Sequence, residues 1–204
     1  MRIRSVMGCF LIAMACWANA AAKKAPGDYE KLVERVKSGD KTVDFRELRL
    51  AYADSPAYDN GPDTDPQKKT MWAALNSKDF ATVIKNADTV LASDYVDMDA
   101  HFAEYVAHRE LNEADLATFH KFVFDGLLKS ITDSGDGKTP ETAFQVIEVH
   151  EEYVLLRFMG AGLPDQSLLH KNGHSYDEMK YEDLTSKQEV TIYFNVDIPA
   201  KHGL

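Results

Sequence analysis

The feature that most constrains the fold of this chain is a change of hydrophobic period at residues 134–139, which read SGDGKT. Before this point, apolar residues recur at intervals of three and four, the spacing of one face of an α-helix. After it, they alternate with polar residues or form short β-branched runs, as in strands. The sequence therefore predicts a helical part over residues 28–132 and a sheet part over residues 142–198, joined by a Gly135-Asp136-Gly137 turn.

Capping residues divide the helical part. One helix is predicted from Asp28 to about Lys37, and a second begins near Asp44, where Glu47 is placed to complete a capping box. Further helices are predicted within residues 79–131.

Residues 79–131 contain the pattern DF..VI..A..VL...YVDMDAH, followed by another apolar helix. This stretch resembles tetratricopeptide repeats, whose units of about 34 residues are helical hairpins. The resemblance implies a concave face that binds proteins or peptides. The usual Trp-Leu-Gly-Tyr signature of a first repeat helix is missing, so a second interpretation stays open, and we favour it: two hairpins form the helical layer of a small α+β domain.

The sheet part is predicted to be an antiparallel sheet of about four strands packed on the helices, which makes the fold class α+β. Residues 143–149 and 153–158 read as a hairpin, with Glu151 and Glu152 near its turn. Residues 175–184 are a third strand or irregular segment. Residues 189–198 show the clearest alternation in the chain, which predicts a strand with one buried face.

Residues 1–20 have the features of a secretory signal peptide. Arg2 and Arg4 form a basic start, the apolar run that follows is too short to span a bilayer, and residues 18–20 fit a small-x-small cleavage site. We therefore expect a periplasmic or secreted protein with no transmembrane segment after cleavage near Ala20. Residues 21–27 would be a flexible linker, and residues 28–204 a single α+β domain.

Charge and cysteine content limit the possible partners and ligands. The chain has 23 basic and 33 acidic residues, and removal of residues 1–20 would leave 21 basic and 33 acidic residues, a net charge of −12. This balance argues against nucleic acid and anionic lipid as partners. Cys9 and Cys16 both lie in the signal, so the mature chain would lack disulfides and thiolate metal ligands. A lipoprotein signal with acylated Cys16 is the less favoured alternative, because Ala13 stands where a larger aliphatic residue is usual.

Two loops have residues that are typical of phosphate or calcium binding but lack the complete motif. Gly137-Lys138-Thr139 has no glycine four residues earlier, and a helix leads into it where a P-loop requires a strand. Asp59, Asp63 and Asp65 lie in a Gly- and Pro-rich loop over residues 58–66 without EF-hand spacing. We interpret the first as a structural turn and the second as a solvated loop with Asx turns.

Histidine pairs at two places in the chain are possible metal ligands. His101 and His108 flank Glu104 on one helical face, but their backbones are separated by a rise of about 10 Å, which favours helix packing over joint ligation. His120 borders an apolar face and reads as a packing residue. His170 and His174 are separated by an Asn172-Gly173 turn and could meet a metal only across a loop. We therefore predict no metal or cofactor.

Three segments carry a further resemblance: DFRELRLAYADSPAY, GLLKSITDSGDGKTPETAFQVIEVHEEYVLL and IYFNV. Together they resemble an uncharacterised bacterial family, the domain of unknown function 4919, over nearly all of the mature chain. The resemblance implies an exported protein of unassigned activity and carries no catalytic residue. The residues that carry it are Asp44, Tyr52, Gly135, Asp136, Gly137, Glu151, Glu152, Tyr153, Tyr193, Phe194 and Asn195.

Function is predicted only at the level of class. The first hypothesis is an interaction module that binds a protein or peptide. Its candidate binding surface, where turn and sheet meet, comprises Asp136, Glu152, Tyr153, Tyr193 and Asn195.

Two alternatives stay open. The first is a hydrolase in which Asp136, one of Glu151 and Glu152, and His150 serve as acid and base. The second is an immunity protein against a secreted toxin. In the structural alternative to the hydrolase, Asp136 only bonds its own turn.

Overall fold

A computed structural model describes residues 27–203 of the protein. Up to Thr132 the described chain is helical throughout, with short connections between successive helices. These helices are α1 (Asp28–Lys37), α2 (Phe45–Ala53), α3 (Pro56–Asn60), α4 (Asp65–Ser77), α5 (Phe80–Ser93), α6 (Met98–Glu110) and α7 (Ala114–Thr132).

The rest of the described chain mixes strands and helices. After a single 3₁₀ turn at Pro140–Thr142, its elements are β1 (Phe144–Gln145), α8 (Val149–Phe158), β2 (Asp165–Lys171), β3 (His174–Glu182), β4 (Glu189–Asn195) and α9 (Asp197–His202). The α+β class predicted from the sequence is confirmed.

Aspartate caps fix the starts of three helices. The side chains of Asp44, Asp79 and Asp97 each accept hydrogen bonds from backbone N–H groups in the first turn of α2, α5 and α6. The helices predicted from Asp28 and from Asp44 are confirmed. The loop predicted over residues 58–66 is wrong at both ends, because α3 extends to Asn60 and α4 begins at Asp65.

Consecutive helices form the helical layer. Helix α4 packs on α5, α5 on α6, and α6 on α7, while α2 packs across α7. The turns between the consecutive helices α4, α5, α6 and α7 are short, so each consecutive pair is a helical hairpin. This geometry agrees with the hairpins expected from the sequence, and membership of the tetratricopeptide family stays a prediction.

The sheet has four strands in the order β1-β4-β3-β2. Strands β2, β3 and β4 are antiparallel neighbours, but β1 runs parallel to β4, with Phe144 opposite Phe194. The sheet is therefore mixed rather than wholly antiparallel. Only neighbours joined by a tight turn must be antiparallel, and β1 is separated from β4 by α8 and two strands.

The hairpin predicted over residues 143–158 is wrong. Only Phe144–Gln145 is a strand, and residues 149–158 form α8. In this helix Val154, Leu155 and Leu156 are buried, and so are both glutamates that were placed at the hairpin turn. The β-branched residues of this segment suggested a strand. The segment is a helix because the folded protein buries side chains on three sides of one helical turn.

The sequence interpretation missed β2, which is exposed along nearly its whole length and so has no apolar alternation. It pairs with β3 through a two-residue turn in which Asn172 and Gly173 both have positive φ. That Asn-Gly turn was the available hairpin signal.

One hydrophobic cluster contains side chains from both parts of the chain. Ile192 and Phe194 of β4 and Met179 of β3 lie on the inner face of the sheet, in the same cluster as Leu48 of α2 and Leu127 of α7. None of the helices in residues 27–203 has both the length and the apolar character needed to cross a membrane.

Candidate functional site

A small cavity lined by acidic and aromatic side chains lies where the ends of five helices meet. We call it the acidic cleft. Its volume is about 160 Å³, and its titratable lining residues are Tyr52, Tyr58, Lys68, Asp94 and Glu148. A cavity that gathers titratable groups with displaced pKa values is the usual mark of a functional site.

Each of these side chains is placed by a helix or by a helix end. Tyr52 lies on α2, Tyr58 on α3 and Lys68 on α4, while Asp94 directly follows α5 and Glu148 directly precedes α8. The Tyr58 hydroxyl donates a hydrogen bond to the carbonyl oxygen of Ile147, which ties α3 to the segment before α8. The rings of Tyr52 and Tyr58 meet edge to face, with their centroids 5.5 Å apart.

Lys68 is already engaged by an aspartate at the back of the cleft. Its Nζ lies 2.7 Å from Oδ2 of Asp97, whose side chain is fully buried and whose Oδ1 caps α6. Burial works to lower the pKa of Lys68, but the Asp97 carboxylate outweighs it and raises the pKa above the usual lysine value. Lys68 is therefore charged, and the Asp97 carboxylate compensates most of this positive charge.

The two remaining carboxyl groups of the cleft have no such partner. Burial raises the pKa of Asp94 well above its usual value, and the carboxyl groups of Glu148 and Asp97 raise it further. Burial, followed by the Glu151 carboxylate, raises the pKa of Glu148 to about 7. Within residues 27–203, no basic side chain forms an ion pair with Asp94 or Glu148.

A second, wider cavity of about 420 Å³ shares Tyr58 and Glu148 with the acidic cleft. Its other lining residues include His150 and His202. His202 lies 2.6 Å through Nδ1 from Oδ1 of Asp59. Glu148 thus lines both cavities, and a ligand group bound beside it has space to continue outward along α9.

The predicted site residues lie elsewhere and fall into two groups. Asp136 is exposed, and its Oδ1 accepts hydrogen bonds from the Lys138 backbone N–H at 3.1 Å and from the Thr142 hydroxyl at 2.6 Å. The turn needs Gly137, because its φ is +68° and a Cβ there would lie 2.6 Å from Ile192. Gly135, in contrast, does not have a positive φ.

Tyr193 and Asn195 are near Asp136 but face away from the helices. They lie on the face of β4 opposite to the buried Ile192 and Phe194. The Tyr193 hydroxyl donates to Oε2 of Glu178 at 2.8 Å, and the Tyr193 backbone N–H donates to Gly137 at 2.8 Å.

Glu152 and Tyr153 belong to a second group on the inner side of the sheet. The Tyr153 hydroxyl donates to Gln166 at 2.7 Å, and the Gln166 amide donates to Asp177 at 2.5 Å. Glu152 is fully buried beside Asp177. Asp136 therefore shares no site with Glu152, and whether either group binds a ligand stays a prediction.

Glu151 pairs with Arg49, which excludes Glu151 as the catalytic glutamate beside Asp136 in the hydrolase hypothesis. Both of its carboxylate oxygens accept hydrogen bonds from the Arg49 guanidinium, at 2.7 and 2.5 Å, and one also accepts from the Ile147 backbone N–H. This buried ion pair is structural and lies apart from Asp136.

The sequence interpretation missed the acidic cleft itself. Asp94 carries no motif in the sequence, and Glu148 lies in the strand predicted over residues 143–149. A helix-breaking Asp-Tyr-Val-Asp segment rich in carboxylates was the only local signal. The meeting of Asp94 with Glu148 depends on how α5 packs relative to α8, which no local pattern encodes.

The fold and the cleft define an α+β protein with a helical-hairpin layer, a small mixed sheet and an acidic cleft between helix ends. The model of one family, described as Domain of unknown function (DUF4919), matches residues 19–202, and the chain belongs to that family. The resemblance noted from the sequence is thereby confirmed. No curated protein matches the chain, and no solved structure matches it either.

Proposed function

We propose that this protein is an interaction module whose acidic cleft receives the positively charged end of a lysine or arginine side chain from a protein or peptide partner. The observation that carries the proposal is that Asp94 and Glu148 line one cavity and that, among the described residues, no basic side chain forms an ion pair with either of them. A cation in the cleft would supply the charge that these two groups lack.

The other walls of the cleft support a cationic ligand. Tyr52 and Tyr58 contribute aromatic rings, which attract ammonium and guanidinium groups through their quadrupole. The volume of about 160 Å³ suits the end of one side chain better than a whole small-molecule ligand, for which pockets of about 300 Å³ or more are typical. The wider neighbouring cavity leaves space for the rest of a peptide.

We place this function outside the cytoplasm, in the periplasm or in secreted form. The basic start, apolar run and small-residue cleavage site of residues 1–20 support export. Tyr193 and Asn195, together with the exposed Asp136, are a further proposed contact surface on the outer face of the sheet.

A hydrolase that uses the carboxyl groups of the cleft is the second candidate. The observation that favours it is the pKa of Glu148, raised to about 7, because a general acid works best when its pKa lies near the working pH. Asp94 beside it would then act on the same substrate group.

A peptide array tests both candidates. The probes are hexapeptides with one fixed central residue and random flanks, incubated with the protein from residue 21 onward. The proposal predicts that bound peptides are enriched in central Lys and Arg and that Asp94→Asn and Glu148→Gln abolish the enrichment. Glu189→Gln removes one charge at an exposed strand end and serves as the matched control.

Equal binding of basic and neutral peptides would contradict the interaction proposal. So would enrichment that survives in both cleft variants. Mass spectrometry of the same mixtures gives the second readout. Cleaved peptides that appear with the wild type and vanish with Glu148→Gln would favour the hydrolase.

A further inference from the structure

We propose that Glu104, His108 and His120 form a binding site for a divalent transition-metal ion, zinc first, between α6 and α7. His108 Nε2 lies 3.0 Å from Glu104 Oε2, and His120 Nε2 lies 3.3 Å from the same oxygen. One ligand atom from each of the three residues lies within 4.8 Å of the other two. The site shares no residue with the acidic cleft and does not depend on its function.

The tautomer of His108 is fixed by Glu113. His108 Nδ1 lies 2.5 Å from Oε2 of Glu113, and an ionised carboxylate can only accept a hydrogen bond. Nδ1 therefore carries the proton. Glu104 is also a carboxylate and lies 3.0 Å from Nε2, so a doubly protonated ring donates to both glutamates, and the neutral ring presents an Nε2 lone pair towards Glu104. A metal-bound histidine is usually oriented by such a carboxylate on its other nitrogen.

The tautomer of His120 is fixed through His101. His101 Nε2 lies 3.0 Å from the Tyr95 carbonyl oxygen, which only accepts, so His101 Nε2 carries the proton and Nδ1 is an acceptor. His120 Nδ1 lies 3.1 Å from that acceptor and must donate to it. His120 Nε2 is then left with a lone pair that also points towards Glu104.

When Glu104 and His108 carry no proton at these atoms, two imidazole lone pairs and a carboxylate oxygen converge on one point. Glu104 is 2% exposed, and its second oxygen, Oε1, is buried without a hydrogen-bond donor. A metal cation among the three atoms would satisfy all of them.

The donor set selects the class of metal. Two imidazoles and one carboxylate are a known zinc set that leaves a fourth position open, and they also suit other first-row divalent ions. With metal–ligand bonds of about 2.0–2.1 Å and tetrahedral angles, neighbouring ligand atoms lie about 3.3–3.4 Å apart. The distance of 3.3 Å from Glu104 to His120 fits this value, and the distance of 3.0 Å from Glu104 to His108 is shorter.

The helix pair explains why the pattern was missed. Glu104 and His108 are one helical turn apart on α6, but the third ligand comes from the neighbouring helix α7. His101, which was considered together with His108 in the sequence, is not one of these three ligands. His101 is instead the residue that orients His120.

Metal titration of the untagged protein tests the proposal. After dialysis against chelator, the protein is titrated with zinc and, separately, with cobalt(II), whose visible spectrum reports its coordination. We expect one equivalent of zinc per chain, a rise in Tm with zinc concentration, and a tetrahedral or five-coordinate cobalt spectrum with nitrogen ligands.

Three variants and a control locate the site. Glu104→Gln and His120→Gln should abolish stoichiometric binding. Glu113→Gln alters a side chain that is 48% exposed, so it leaves the fold intact, and it should weaken affinity by about 10–100-fold. His174→Gln, which removes an exposed histidine on β3, should leave binding unchanged.

Two results would overturn the proposal. One is the absence of any binding at one equivalent in the wild type. The other is stoichiometric binding that Glu113→Gln and His120→Gln leave unchanged while His174→Gln reduces it, which would place the metal on surface histidines.

Discussion

Glu152 is fully buried beside Asp177, and neither of its carboxylate oxygens receives an N–H or O–H donor from the described residues. Two carboxyl groups can share a hydrogen bond only when one of them is protonated. Burial, followed by the charges of Asp177 and Glu151, raises the pKa of Glu152 to about 9. At neutral pH the folded protein therefore holds a proton that the unfolded chain releases.

The sign of the pH effect follows from linkage. Between the ordinary pKa of 4.5 and about 9, the folded state binds more protons at Glu152 than the unfolded state does, so its contribution to stability falls as pH rises. The loss is at most about 1.4 kcal/mol per pH unit. Glu152→Gln keeps a donor for Asp177 and removes this loss.

We predict that Glu152→Gln becomes progressively more stable than the wild type as pH rises from about 5 to about 8, by up to about 4 kcal/mol over that interval. Urea unfolding followed by circular dichroism at each pH measures the difference. The exposed Glu189→Gln should show no such trend. A constant difference between Glu152→Gln and the wild type would mean that Glu152 is ionised in the fold.

At the scale of elements, Arg49 is the side chain that joins the two layers. From α2 its guanidinium donates to Glu151 of α8, to the Ser130 hydroxyl of α7 and to the Gln145 carbonyl oxygen of β1. Both members of the ion pair are about 3% exposed, so solvent screens the pair little. Breaking one half would leave a buried charge uncompensated.

Arg49→Met is expected to lower the free energy of unfolding by about 3–5 kcal/mol, and the double variant Arg49→Met/Glu151→Leu to recover much of that loss. The same urea titrations at neutral pH give both values. As the control, Lys129→Met breaks the exposed Lys129–Asp133 pair and should cost less than about 1 kcal/mol. An equally small cost for Arg49→Met would show that the buried pair does not join the layers.

The same contrast explains what the sequence could predict. The starts of α2, α5 and α6 are encoded locally, because an aspartate cap and the apolar stripe behind it lie within one turn of each other. Strand β4 is encoded by its own alternation. Helix α8 is not, since its buried Glu151 pairs with Arg49 and its buried Glu152 lies beside Asp177, and both partners are distant in sequence.

The candidate sites were less predictable than the elements for the same reason. Asp136 was foreseen as a possible turn former, and its hydrogen bonds lie within its own turn. Asp94 and Glu148 belong to no motif. They line the same cavity because the C-terminus of α5 and the N-terminus of α8 lie close together. His120 reaches Glu104 across two helices. Sites assembled from helix ends and helix faces depend on tertiary packing.

At the scale of the whole molecule, the fold brings two uncompensated carboxyl groups to one cavity of an already acidic protein. The chain carries a net charge of −10, so its surroundings attract cations and repel anions. In the proposed function, the acidic cleft is the specific site at which a cation binds. Because the pKa of Glu148 is about 7, a cation that binds there must displace part of a proton.

The most direct test is therefore the proton release that accompanies binding. The peptide with central Lys or Arg that binds best in the array is titrated calorimetrically at pH 6.5, in buffers with different enthalpies of ionisation. We predict that the wild type releases protons when the peptide binds, and that Asp94→Asn and Glu148→Gln each reduce this release. Binding without proton release, or release that Glu148→Gln leaves unchanged, would contradict a cation site at Asp94 and Glu148.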